Sequence, residues 1–304
     1  SPLYPMKPAV PCVLEWVHFP EVPMRTLRLL APLASLVLLP ASAAVPTDMA
    51  ITSADGYALK GTLSLPAARG KVPVVILAHQ FGADRSGWAP LAERLAARGI
   101  GTLALDLRGH GASTRKNGVD VAITADFMAS AKTVGFDQIP ADLALAAAWL
   151  RKQPGVDGRR IGLAGSSVGA ISVLLAAPEV KPVAVLSLSP GGTGAFGEGA
   201  QERLKGATLR GRASTLVLAS TGDKDAHENA LALKDLPGVA IQLKEGGEHG
   251  FAYFKERADL MAVFFGEYLT YHHLGKAYAT AASPKAAAPG NVINDKTLAT
   301  QKAQ

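Results

Sequence analysis

The sequence predicts an α/β protein built on a mostly parallel sheet of about eight strands, with helices on both faces and no large cap domain. Three observations carry this reading. From about Val45 onward, short apolar runs alternate with amphipathic stretches, the order a parallel sheet requires because each crossover is made by a helix. Most of the apolar runs are near-continuous, as strands are when both faces are covered. The chain has 304 residues, 48% of them hydrophobic and 18% charged, enough to bury a large core.

Taken in order, β-rich runs at 49–52 and 57–65 precede strand candidates at 73–78, 101–107, 160–165, 183–189, 215–220 and 239–244. Helices are expected at 86–98, stopped by Gly99, and at 140–152, where Asp142, Leu143, Ala146, Ala147 and Leu150 set a 3.6-residue period. Further helices follow Val168 and Asp225 and cover 255–272. The link between the strands at 183–189 and 215–220 is short and glycine-rich at 191–199, which leaves no space for a large lid.

The body with the alternating pattern occupies residues 44–278, and the flanks read differently. Residues 24–43 have the three parts of an export signal: the positive Met24-Arg25-Thr26-Leu27-Arg28, an apolar stretch at 29–39, and small residues that offer cleavage after Ala43 or Ala44. The apolar stretch is too short to span a bilayer. A periplasmic or secreted protein without a stable membrane span in its mature form is therefore expected. Residues 1–23 carry six prolines and no periodicity and are read as an extension outside the native protein. Residues 279–304 mix Ala, Pro, Lys, Thr and Asn without an apolar face, the composition of a disordered tail.

Charge and cysteine content exclude several functions. The net charge of +6 comes from 31 basic and 25 acidic residues that are scattered, whereas phosphate tracking needs clustered charge, so no nucleic-acid partner is expected. Cys12 is the only cysteine, which rules out an internal disulfide, and no histidine spacing implies a metal. Neither a metal nor another cofactor is expected.

Chemistry enters at Gly165-Ser166-Ser167-Val168-Gly169, which ends an apolar strand and opens a helical stretch. A turn from strand to helix strains its central residue, and glycines two positions either side leave room for the backbone to fold tightly. Ser167 is thus placed to project its hydroxyl from the tip of the sheet. A serine hydroxyl is a poor nucleophile at neutral pH and needs a neutral imidazole to take its proton, which a carboxylate orients. Downstream, Thr221-Gly222-Asp223-Lys224-Asp225 and Glu245-Gly246-Gly247-Glu248-His249-Gly250-Phe251 follow two buried strands, and parallel strands bring such loops to one end of the sheet. His249 is the expected base. Two aspartates compete for the acid; Asp225, at the far side of its turn, is favoured over Asp223, and Glu248 ranks third. Acyl transfer also needs two N–H donors for the oxyanion; Val168 after the nucleophile and Phe81 in the loop Ala78-His79-Gln80-Phe81-Gly82-Ala83 are the candidates. His79 and His110 are expected to hold loops, and His227 to be a solvated helix residue.

In that order, 78–82, Asp106-Leu107-Arg108-Gly109-His110-Gly111-Ala112-Ser113, 165–169, 222–225 and His249-Gly250-Phe251 resemble the motifs of α/β-hydrolases. The short, lidless layout is similar to dienelactone hydrolase-like and esterase-like members. The resemblance implies Ser167 as nucleophile, Asp225 as acid, His249 as base, and backbone donors from Phe81 and Val168. Gln80 stands where that family usually has glycine, so its side chain is expected to narrow the site or contact substrate. Dienelactone hydrolases carry a cysteine nucleophile, and the serine here does not support that activity. The expected reaction is cleavage of a small-molecule carboxylic ester through an acyl-serine, at neutral to alkaline pH because His249 must be unprotonated. Peptidase, thioesterase and acyltransferase activities of the same fold, and a non-catalytic binding protein, are the alternatives.

Overall fold

The computed structural model describes residues 46–270 and the backbone of 292–294. The expected export signal and N-terminal extension, Cys12 and most of the expected disordered tail lie outside them.

The chain runs β1 (Thr47–Thr52), β2 (Ala58–Ser64), β3 (Val72–Ala78), α1 (Ala89–Ala96), β4 (Gly101–Asp106), the hairpin β5 (Arg115–Lys116) and β6 (Val119–Asp120), α2 (Phe127–Ser130), α3 (Ile139–Leu150), β7 (Val156–Ser166), α4 (Val168–Val180), β8 (Ala184–Leu188), α5 (Ala200–Gly211), β9 (Ser214–Ser220), α6 (Lys224–Ala232), β10 (Val239–Lys244), α7 (Phe254–Leu269) and β11 (Val292–Asn294). The main sheet has the order β1-β2-β4-β3-β7-β8-β9-β10-β11. The β1/β2 and β2/β4 pairs are antiparallel and every later pair is parallel.

Alternation along each strand divides the core. On β3, Val74 and Ile76 pack with α3, α4, α5 and α6, while Val75 and Leu77 face α1 and α7, as a side-chain period of two dictates. Val74, Val75, Ile76 and Leu77 are all fully buried, which explains why the strand reads as a continuous apolar run. The crossovers fix all parallel strands with their C-terminal ends at one edge, and that edge carries the loops after β3, β7, β8, β9 and β10.

The strands match the sequence expectation closely, and three elements depart from it. Helix α5 was hidden by its glycine-rich approach, although Ala200, Leu204, Ala207 and Thr208 are buried at helical spacing. Residues 107–138, where the sequence reading placed no element, fold as a hairpin and a broken helix. Strand β11 falls in the stretch expected to be disordered: Val292-Ile293-Asn294 pairs in parallel with Ile241–Leu243 on β10, because a β-branched pair can extend a sheet edge that no local apolar face announces.

A buried cation ties the start of residues 107–138 to the rest of the fold. Arg108, 1% exposed, grips Asp142 through Nε at 2.6 Å and Nη2 at 2.8 Å, and Asp55 through Nη2 at 3.0 Å and Nη1 at 3.1 Å. Its guanidinium also lies 5.0 Å from the centre of the Tyr57 ring. Two planar forks explain why an arginine, and not a lysine, fills this position.

Candidate active site

The strand-to-helix turn at Ser167 is built as its glycines require. Ser167 stands between β7 and α4 with φ 55° and ψ −117°, a conformation that costs an L-residue on the order of 1–3 kcal/mol and persists only where the surroundings enforce it. A Cβ on Gly165 would lie 2.1 Å from the Gly169 carbonyl oxygen, and one on Gly169 would lie 2.3 Å from that of Ala78. Only glycine permits this close crossing of strand and helix. The Ser167 N–H donates to Leu188 at 2.9 Å, and its carbonyl accepts from Ala170 and Ile171, so the strained residue is clamped on both sides.

His249 follows β10 and lines the same cleft of about 480 Å³ as Ser167. Its Nδ1 lies 2.6 Å from Oδ2 of Asp223. Asp223, and not the favoured Asp225, is thus the residue bonded to the histidine. The reason is where helix α6 begins. Asp223 is its N-cap, does no capping with its side chain, and sits on a turn tied to the histidine loop by the bonds Thr221 N–H to Lys244 and Gly222 N–H to Gly246, at 2.9 and 2.7 Å. Asp225 already lies in the first turn of α6. It lines the same cleft, but its carboxylate accepts from the Gly192 N–H at 2.6 Å and from Asn229 Nδ2 at 3.1 Å, and Asn229 Nδ2 also donates to the Pro190 carbonyl at 2.9 Å. Asp225 therefore pins the loop that forms one wall of the cleft. The i, i+4 pair Asp225 and Asn229 was the sequence signal for a shared helical face.

Glu248 pairs with Lys244 at 2.8 Å. His227 is a half-buried residue of α6.

The two candidate oxyanion donors occupy suitable backbone. Val168 is the first residue of α4, where a helix leaves N–H groups without intrahelical acceptors and carries partial positive charge. Phe81 lines the cleft. The Phe81 ring is set edge-on against Phe127 and His110, at 5.2 and 5.8 Å between centroids, which fixes the loop that carries its N–H.

The histidines of the motifs outside the cleft are structural. The Leu107 N–H donates to Nε2 of His79 at 3.0 Å, so the ring proton must lie on Nδ1, which donates to the Gln80 carbonyl at 2.8 Å. Burial, with the neighbouring His110 ring, lowers the His79 pKa to about 4, and the ring is neutral at working pH. His110 donates from Nδ1 to the Arg108 carbonyl at 3.0 Å, and burial lowers its pKa also. Asp106 accepts from the Arg85 and Ala112 N–H groups at 2.9 and 2.8 Å. Ser113 accepts from the Lys60 N–H at 2.9 Å and donates to the Asp106 carbonyl at 2.8 Å. The whole 106–113 motif is a loop staple.

Gln80 lines the cleft, but its Oε1 is committed elsewhere, to Ser166 Oγ at 3.0 Å and the Phe251 N–H at 2.9 Å. Direct contact with a substrate is left to its Nε2. Among the described residues no cluster of three or more His, Cys, Asp or Glu could hold a metal, and no helix is long and apolar enough to cross a membrane.

A strained serine at a strand-to-helix turn, a histidine held by an aspartate, and a mostly parallel sheet whose loops bring them together define the class. The chain belongs to the alpha/beta hydrolase family, whose family model matches residues 75–294. Among solved structures it is similar to acetyl xylan esterase 1 from Thermoanaerobacterium sp. JW/SL YS485, with 20% identity, 76% of this chain and 85% of that chain covered, and a TM-score of 0.59. It is also similar to a dienelactone hydrolase from Anabaena variabilis, with 23% identity, coverage of 74% and 99%, and a TM-score of 0.55. A Pyrococcus furiosus esterase aligns with 20% identity, coverage of 74% and 93%, and a TM-score of 0.57. In sequence it is 28% identical over 152 residues to an uncharacterised protein of Mycobacterium tuberculosis, a match that spans 49% of this chain and 48% of that relative.

Proposed function

We propose that this protein is a serine hydrolase that cleaves small-molecule carboxylic esters through an acyl-enzyme. The observation that carries the reading is the 2.6 Å bond from His249 to Asp223 in the cleft that also exposes the strained Ser167. The similarity to solved esterases supports the same reaction class.

The Ser167 hydroxyl attacks the carbonyl carbon as His249 Nε2 takes its proton, and Asp223 steadies the imidazolium that forms. The N–H groups of Val168 and Phe81 receive the developing oxyanion. Collapse expels the alcohol, which takes the proton from His249, and the acyl-serine is then opened by a water that His249 deprotonates. Asp225 shapes the wall at Gly192 and takes no proton.

The test compares wild type with Ser167→Ala on short-chain p-nitrophenyl esters and an aminoacyl amide. Ester turnover that survives intact in the variant would reject Ser167 as nucleophile. Wild-type turnover of the amide alone would reassign the protein as a peptidase, and a folded wild type inert toward all of them would leave the binding-protein reading. A fluorophosphonate, mapped by mass spectrometry, is expected on Ser167 and not on Ser166, which is fully buried.

A further inference from the structure

One oxygen atom bridges the two halves of the site. Gln80 Oε1 accepts from Ser166 Oγ, one residue before the nucleophile, and from the Phe251 N–H, two residues after the base. An N–H can only donate, so the amide atom facing Phe251 must be oxygen, and the orientation of the Gln80 amide is fixed. The adjacent Gly250 N–H is captured by Ser189 Oγ at 2.9 Å. Gly250 has φ +58°, and a Cβ there would lie 1.9 Å from Gln80 Oε1; the turn after His249 is shaped around this contact. Two successive N–H groups of the histidine loop thus end on side chains from the ends of β3 and β8, and Gln80 carries the link onward to the elbow.

We propose that Gln80 is a positioning residue of the reaction: through Oε1 it locks the His249 loop to the Ser167 elbow and so sets the alignment of base and nucleophile. This rests on the reading of Ser167 and His249 given above. Asp223 fixes the imidazole from one side only, through Nδ1. The backbone that carries the ring is fixed by Gln80 and Ser189, and misplacement of a catalytic group by about 1 Å can cost on the order of a hundredfold in rate.

The experiment compares wild type, Gln80→Met, Gln80→Glu, Ser166→Ala and Gln80→Met/Ser166→Ala. Each is assayed for ester kcat and KM, for the rate of fluorophosphonate labelling of Ser167, and for thermal stability. Methionine removes the acceptor, and kcat and the labelling rate are expected to fall together by about ten- to a hundredfold with KM within about twofold. Glutamate keeps an acceptor for both donors and is expected to restore most of both rates. The double variant is expected to lose less than the product of the single losses, because both act through one atom. A Gln80→Met protein that labels at the wild-type rate would overturn the proposal, as would one whose melting temperature falls while its kcat is unchanged. Equal losses for methionine and glutamate would overturn it too, since the acceptor would then be irrelevant. Wild type that is folded but never labelled would instead remove the nucleophile reading and this proposal with it.

Discussion

Replacing each aspartate of the 223–225 turn by asparagine separates two roles that lie two residues apart. In Asp223→Asn the shape at His249 Nδ1 is kept, but the carboxylate that accepts at 2.6 Å is gone. The amide either accepts weakly, without charge to balance the imidazolium, or donates to Nδ1 and forces the ring proton onto Nε2, the atom that must accept from Ser167. Loss of the corresponding carboxylate charge in Ser-His-Asp enzymes costs about 10⁴ in turnover, or about 5 kcal/mol of transition-state stabilisation. In Asp225→Asn the losses are different. Both Asp225 oxygens accept, from Gly192 N–H at 2.6 Å and from Asn229 Nδ2 at 3.1 Å, and an amide can meet only one of these donors as an acceptor. Asp225 is exposed, so the cost of the mismatch is about 0.5–1.5 kcal/mol of stability, with turnover reduced less than tenfold because its carboxylate is bonded to Gly192 and Asn229 and not to His249. Ester kcat/KM for both variants, with urea midpoints, decides the matter. A larger kinetic loss in Asp225→Asn than in Asp223→Asn would refute the assignment of the acid.

Other consequences are open to direct measurement. Arg108→Met leaves Asp142 buried without its cation and is expected to cost about 3–5 kcal/mol in urea unfolding; a cost below about 1 kcal/mol would contradict the role given to the two forks. The His79 pKa of about 4 lies below its unfolded value of 6.5, so the unfolded chain binds the extra proton between those values. Stability is thus full above about pH 6.5, declines as pH falls to about 4, and is lower by about 3 kcal/mol beyond that. Urea midpoints at pH 7, 5.5 and 4 should show this decline, and His79→Asn should lose much of it; an equal slope in the variant would exclude His79 as its source. Export should yield a mature chain that starts after Ala43 or Ala44, and N-terminal sequencing that begins before Ala41 would contradict the signal assignment.

How far the sequence revealed the molecule follows from the range over which each signal acts. Apolar runs such as Val74 to Leu77 and the spacing of Gly165, Ser167 and Gly169 are decided by local sterics and burial, and strands and elbow alike could be read from them. The choice between Asp223 and Asp225 was not local. Both are carboxylates in a turn, and the decision lay in where α6 starts and in the two backbone bonds that tie that turn to the histidine loop. Helix starts are uncertain by about two residues, the distance that separates the two aspartates. Gln80 illustrates the same limit from the other side. Its departure from glycine was visible, but its partners, Ser166 and Phe251, are 86 and 171 residues away in sequence.

The contacts around the site share one logic. Loops at the C-terminal edge of a parallel sheet have left the ladder, and their N–H groups must find acceptors or be buried at a cost. Here side chains at or near the strand ends supply them: His79 for Leu107, Gln80 for Phe251, Asp106 for Arg85 and Ala112, and Ser189 for Gly250. Asp225 does the same for Gly192 from the start of α6. These residues are polar in an otherwise apolar setting because each closes one loop. Their replacement by apolar isosteres leaves a donor unpaired at about 1–3 kcal/mol each, a cost that falls on the loops while the sheet beneath keeps its own hydrogen bonds. Activity should therefore be lost before the fold is, and the order of that loss follows the distance of each closed loop from Ser167 and His249.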